Sequence, residues 1–524
     1  MAIDDPVQGT GTDDETAAEP KKTATEPKKD PAEPKKTPAA PPSGAAAGAS
    51  GTPRASGWSA LRPLVLRLHF YAGLLIAPLL LVAATSGFLY SLSFQAEKVI
   101  YRHELRAPVG DRVQPVADQI AAARAAHPEG TVTSVRLPSE KGETTKVMMS
   151  APGLKEHHSL AVFVDPYTAE VRGALDTYGS SLALPVRGWL SEFHRHLQLG
   201  EPGLFYSELA ASWLWVVALG GLFLWIGRKR ASKRALILPE RGTTGRRRTL
   251  SLHGTLGLWA VTGLVLLSAT GLTWSKYAGA NISEIKDQLG SSTPSVSASL
   301  DGGGSGGGDD HSGHGSGASM PGMDHSADGE DIGVDLAVVA ARQAGLDGPI
   351  QVTLPTEGVG YVIAETDRQF PVRLDSIAVD PANGKVIDEL RFADYPLLAK
   401  LTRIGIDAHT GVYLGMVNQL ALAALAVSLI VLIIWGYRMW WLRRPTKERA
   451  FSAGRPIPRG AWRKVPLTLL LPLVAVTALV GWFLPLLGIS LLVFLVVDGV
   501  LGVVARARKG GNGEKSGKDV PVDA

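Results

Sequence analysis

The sequence predicts a membrane protein, mainly α, built as a duplicated unit: two transmembrane helices flanking an extracytoplasmic α+β domain, repeated once and followed by a C-terminal transmembrane hairpin. Three observations carry this. Of the 524 residues 45% are hydrophobic and only 19% charged, the balance of a polytopic membrane protein. Uncharged runs such as Leu209 to Gly227 are long enough to cross a hydrocarbon core, which takes about 20 helical residues, and they end in basic clusters. The chain also repeats itself.

Composition excludes several chemistries. There is no cysteine, so disulfides, iron–sulfur clusters and thiolate metal sites are ruled out, and any metal must be held by His, Met or carboxylate. The net charge of +4 names no partner, and no nucleic-acid partner is expected. No cleaved signal peptide is expected at the hydrophilic N-terminal end.

In order, residues 1–57 are rich in Pro, Ala, Lys and Glu, with EPKK recurring three times, and read as a disordered tail. The first transmembrane helix is expected within 58–95, apolar from Phe70 to about Leu92 with His69 at its entrance. An extracytoplasmic α+β domain follows over 96–185, with a helix at Val116–Ala126 and strands near 132–137, 146–150 and 160–164. Residues 186–230 give an interfacial segment and the second transmembrane helix, 231–248 a basic loop, and 249–277 the third. A Gly-rich linker covers 278–331. The second outer domain spans 332–400, with a helix at Leu336–Ala344 and strands near 350–354, 361–364 and 377–379. The fourth transmembrane helix falls in 401–444, apolar from about Val412 to Tyr437, and a basic loop in 445–464. An apolar stretch, 465–505, is too long for one span and carries Gly481 and Pro485 near its middle, so it reads as a hairpin, giving six spans before the tail, 506–524. The basic loops place both termini in the cytoplasm and the long loops outside the cytoplasmic membrane.

The repeat is specific. His69 precedes Gly87 by 18 positions and His253 precedes Gly271 by 18, within AATSGFLYS and LSATGLTWS. The outer domains end alike, VDPYTAEVRG and VDPANGKVID, and His194 and His409 each lie 30 positions beyond the valine of that motif. His196 aligns instead with Gly411, so the repeat selects His194 and leaves His196 in reserve, supported by its own HxxxG with Gly200.

Four histidines at four helix entrances form two pairs, His69 with His253 and His194 with His409, one near each membrane face. Neutral imidazole binds iron well, and two imidazoles can hold a haem from both sides. Gly73 and Gly257, one turn past His69 and His253, leave room for a flat ring. Without Cys-x-x-Cys-His the attachment would be non-covalent, giving two haem b groups, each with two histidine ligands. The plainer reading is that the histidines cap helices or hydrogen-bond at interfaces and recur because the chain is duplicated. As one continuous helix His194 to Trp225 would be about 46 Å long, so Gly200 and Pro202 are expected to break it. The linker offers His311, His314, Met320, Met323 and His325, soft and borderline ligands that suit copper, or a Gly-rich tether that happens to contain them. His157 and His158 are further metal candidates.

The two VDP motifs resemble PepSY domains, and HFYAG, FHRHLQLGEPG, LHGTLGLW and HTGVYLGMVNQ followed by WWLRRP resemble the PepSY-associated transmembrane helix proteins, in the expected order over about residues 60 to 445. The resemblance implies PepSY-like outer domains, haem on His69, His194, His253 and His409, and transmembrane electron transfer to an extracytoplasmic ferric siderophore or other metal complex, from a cytoplasmic or membrane donor. The chain departs from the family in its Met/His linker and C-terminal hairpin, which leaves iron and copper both open as substrate. Two other readings stand beside this one: a membrane-anchored regulatory module that binds a peptide or protease, and a copper-handling protein that uses the linker.

Overall fold

Thirteen helices and eight strands are described by the computed structural model, which covers residues 57–228, 232–300, 331–443 and 459–515. The N-terminal tail and the linker residues His311, His314, Met320, Met323 and His325 lie outside the described residues. In chain order come α1 (Gly57–Leu75), α2 (Ala77–Ile100), α3 (Arg102–Leu105), α4 (Val116–Ala126), strands β1 (Thr131–Arg136), β2 (Thr145–Ser150), β3 (His158–Val164) and β4 (Val171–Tyr178), then α5 (Pro185–His196), α6 (Glu201–Ile226), α7 (Gly245–Leu272) and α8 (Tyr277–Gln288). The second half holds α9 (Gly333–Gln343), β5 (Ile350–Thr353), β6 (Tyr361–Glu365), β7 (Ser376–Val379), β8 (Val386–Leu390), α10 (Leu397–Thr410), α11 (Met416–Trp441), α12 (Leu467–Phe483) and α13 (Pro485–Lys515).

Among the described residues five helices are long and apolar enough to cross a membrane: α2, α6, α7, α11 and the Pro485–Ala507 part of α13. The sixth expected span, α12, is apolar but has only 17 residues, at the lower limit for a crossing. The first span differs from expectation because proline divides it. Pro78 has no N–H and its ring crowds the carbonyl one turn back, so the helix bends at Ile76 while the ladder continues through Ile76 N to Ala72 O at 2.8 Å and Leu80 N to Ile76 O at 3.0 Å. Leu74 O, the carbonyl that Pro78 cannot reach, accepts from the Tyr437 hydroxyl of α11 at 3.0 Å.

The interruption expected at Gly200 is present. Leu197 (φ 55°), Gln198 (φ 58°) and Gly200 (φ 63°) turn the chain between α5 and α6, and Gly411 (φ 86°) and Gly415 (φ 55°) do the same between α10 and α11. His194 and His409 therefore sit on short helices that precede the spans. The fourth span begins at Met416 rather than Val412 for the same reason: the left-handed glycine at 415 sets its start. The helical core forms where α6 packs along α7, α2 along α11 and α1 along α6, around Ala72, Leu80, Ala210, Trp213, Leu264 and Leu432.

The two outer segments, expected as two bodies, share one antiparallel sheet in the order β4-β3-β2-β1-β5-β6-β7-β8. Each half is a four-strand meander, and they join where β1 pairs β5, with Val135 opposite Val352 and Arg136 opposite Gln351. Alternate residues such as Val135, Val147, Val162, Val352 and Ile363 pack under α4 and α9, as a period of two requires. Asp335 of α9 accepts from the N–H groups of Val116 (2.7 Å) and Ala117 (3.1 Å), so one half caps a helix of the other. The opposite face carries Met148, Ala161 and Phe163 against Leu184, together with Arg136 and Lys146, which lie opposite each other across β1 and β2. Part of the expected linker is ordered as α8, whose first N–H groups, Tyr277 and Ala278, donate to the buried Glu208 carboxylate of α6 at 3.0 Å each.

Candidate functional site

The four repeat-selected histidines form two pairs. His69 on α1 and His253 on α7 face each other with ring centres 6.4 Å apart and planes at 76°. His194 on α5 and His409 on α10 line one cavity of about 290 Å³, close to the size of a small-ligand pocket. The second pair lies beside the sheet, because Tyr178 at the end of β4 and Ser180 in the following turn line the same cavity.

Each ring is held through Nδ1. His69 Nδ1 lies 2.9 Å from Val217 O and His253 Nδ1 lies 3.1 Å from Leu432 O. A carbonyl can only accept, so Nδ1 must carry the proton and Nε2 the lone pair. His194 Nδ1 lies 2.8 Å from Ser86 Oγ, and His409 Nδ1 lies 2.7 Å from Thr270 Oγ1. Both hydroxyls already donate to their own helices, Ser86 to Val82 O at 2.9 Å and Thr270 to Leu266 O at 2.6 Å. With its proton placed on its own helix, each hydroxyl is able to accept from the imidazole, and in that tautomer all four histidines present a lone pair on Nε2.

This arrangement fits a haem. Orientation of a metal-binding imidazole by a hydrogen bond from its other nitrogen is the usual supporting device. Two metal–imidazole bonds of about 2 Å, with about 1.1 Å from each nitrogen to its ring centre, place the centres about 6 Å apart, against 6.4 Å for His69 and His253. Glycines make the close approach feasible. A Cβ on Gly87 would meet His194 Cε1 at 3.3 Å, one on Gly271 would meet His409 Cε1 at 3.5 Å, and one on Gly221 would meet His69 Cε1 at 2.9 Å. Of the two glycines expected to leave room for a ring, Gly73 has open space where its Cβ would be, while a Cβ on Gly257 would meet Leu432 Cδ2 at 3.8 Å. Trp274 stands edge-on to His409 at 5.4 Å.

His196 goes elsewhere. Its Nε2 points to Glu192 Oε1 at 4.0 Å, and His158 Nε2 lies 3.7 Å from the same oxygen, while His158 Nδ1 meets Asp176 at 2.8 Å. Among the described residues no group of three or more His, Asp or Glu side chains is arranged to hold a metal ion.

Residues that sequence reasoning did not single out complete the cavity. Arg187, Arg195, Arg368 and Arg403 line it together with Tyr90 and Tyr178. Glu97 accepts from Arg187 at 2.8 Å, and Asp407 from Arg403 at 3.1 Å. Ser86 and Thr270 occupy the same offset in the repeated AATSGFLYS and LSATGLTWS, a signal that could have found them.

The PepSY-associated TM region model matches residues 66–443, which takes in all four histidines, the sheet and the cavity. The chain belongs to that family. No curated protein matches the chain. This PepSY-associated TM protein is thus a multi-pass membrane protein whose family region ends before α12 and α13. That hairpin is attached through Asp498 of α13, which pairs with Arg67 of α1, two residues before His69.

Proposed function

We propose that this chain is an integral membrane haem protein that carries electrons across the cytoplasmic membrane to a metal complex on the outer side. The observation that supports it most is the shared anchoring of the four histidines: each rests Nδ1 on a carbonyl or hydroxyl oxygen and leaves Nε2 without a protein hydrogen bond, in two pairs. Duplication by itself carries the same nitrogen within each pair; that the pair on carbonyls and the pair on hydroxyls both keep Nε2 open is what favours ligation.

His69 and His253 would hold the inner haem b, and His194 and His409 the outer one. His253 and Gly271, which backs His409, are 18 residues apart on α7, a rise of about 27 Å, so the two sites fit near opposite faces of a hydrocarbon core of about 30 Å. Haem supplies a one-electron iron centre at each site. The chain's own residues orient the ligands through Val217, Leu432, Ser86 and Thr270, and exclude water with the α6, α7 and α11 core. Arg195, with a buried and unpartnered Nε, brings positive charge to the sheet-side end of the cavity, suited to a haem carboxylate. The basic loops support cytoplasmic termini, and the matched offsets of ligands, acceptors and breaks support a duplicated unit.

The absorption spectrum of the purified protein, reduced minus oxidised, tests this. Sharp haem bands with about two haems per chain are expected, and their absence after expression with ample haem would sink the reading.

A further inference from the structure

The sheet face turned towards the cavity carries more half-buried positive charge than its acids can balance. Arg136 and Lys146 stand opposite each other on β1 and β2, on the face away from α4 and α9. Arg136 donates through Nη2 to Gln351 Oε1 at 3.0 Å, but its Nε is buried with no partner. Arg368, which lines the cavity, reaches only the carbonyl of Ser180, at 3.4 Å.

The nearby carboxylates are already engaged. Glu97 holds Arg187 and the N–H of Leu184, Asp407 holds Arg403, and Glu143 holds the N–H of Ser139. Among the described residues, none of Arg136, Lys146 and Arg368 forms an ion pair within 4.0 Å. Burial first, and repulsion by neighbouring cations second (Arg136 at Lys146, Arg403 and then Arg136 at Arg368, Arg187 at Arg136), push Lys146 down to about 8, Arg368 to about 9 and Arg136 to about 10. Burying like charges without counter-charge is costly, and an anion from outside would relieve it.

We propose that Arg136, Lys146 and Arg368 form a binding site for a small polycarboxylate anion, free or as the shell of a ferric ion, at the seam between the sheet and the cavity. Guanidinium groups match planar carboxylates, and an ammonium adds a point charge. The position places the anion beside the His194–His409 cavity. Its use as electron acceptor rests on the haem reading; its binding does not.

The carboxylates could also come from the outer haem itself, and the arms of the test separate these sources. Full-length protein in detergent is titrated with citrate and with iron(III) citrate by calorimetry at low and high salt, and its haem content is measured in parallel. Saturable binding is expected, weakened by salt and by at least about tenfold in R136Q/K146Q, with haem content unchanged and affinity retained in R136K/K146R. Equal affinity in wild type and R136Q/K146Q, or no saturable binding by wild type, would overturn the site. Haem loss in R368Q with citrate affinity intact would assign Arg368 to the haem carboxylates and overturn the three-cation site. Citrate binding by protein that shows no haem bands would uphold the site while the haem reading fails.

Discussion

His409 donates through Nδ1 to Thr270 Oγ1 at 2.7 Å, and that hydroxyl is itself committed to Leu266 O at 2.6 Å. The chain of donors fixes both the tautomer and the ring orientation from one helical turn of α7. In Thr270→Val the shape is kept and the acceptor is lost. Losing the hydrogen bond that orients a metal-binding imidazole lowers metal affinity about 10–100-fold, so T270V is expected to shed the outer haem on dilution while the inner haem stays. Ser86→Ala should do the same through His194. Haem stoichiometry after gel filtration checks both, and full retention in both variants would remove these hydroxyls from the site.

The two histidines of FHRH separate by direction. His194 lines the cavity and His196 faces Glu192 on the other side of α5. His194→Ala is therefore expected to remove about half of the haem absorbance, since one of two sites loses a ligand. His196→Ala should leave the spectrum unchanged. Haem loss in H196A with retention in H194A would reverse the assignment.

Much of this was legible in the sequence. The helix expected at Val116–Ala126 is α4 residue for residue, and six of the eight strands lie where alternation puts them. The two that were missed, β4 and β8, are the edges of the sheet. An edge strand is only partly covered, so polar residues such as Arg172, Asp176, Asp388 and Glu389 interrupt the apolar period. The repeat picked out the four histidines that the fold gathers into two pairs because histidine and turn keep their spacing. It could not reveal that the two sets of strands close into one sheet, since pairing between distant segments leaves no local pattern. The cavity arginines escaped notice for a related reason: Arg187 and Arg368 are 181 positions apart and meet only through the fold.

A glycine backs His69 from α6. A Cβ on Gly221 would come within 2.9 Å of His69 Cε1, closer than real side chains approach, and the ring cannot turn away without giving up Val217 O. Gly221→Ala is expected to disturb the inner haem alone, as a shifted or lost component in low-temperature spectra, with the outer component intact. The protein should still fold, because the clash falls on one side chain rather than on backbone. A spectrum identical to wild type in both components would show that His69 has room to move and is not held as described.

Lys146 makes the anion site sensitive to pH. It faces Arg136 from β1, Glu143 from the loop before β2, Arg187 from α5 and Glu97 from α2, and burial with these cations holds it down to about 8. The unfolded chain, with an ordinary lysine near 10.4, binds more protons between about 8 and 10, so the depressed lysine makes stability rise with pH across that window. Anion binding runs the other way. The site carries three charges below about 8 and loses that of Lys146 first, with Arg368 following near 9, so citrate affinity should fall as pH rises through about 8, while bound citrate raises the lysine's pKa by linkage. Lys146→Gln should show weak binding with no step in that range, whereas Lys146→Arg should bind well and stay flat to higher pH. Calorimetric titrations at pH 7 and 9 check this, and wild-type affinity that does not change between them would mean that Lys146 does not touch the anion.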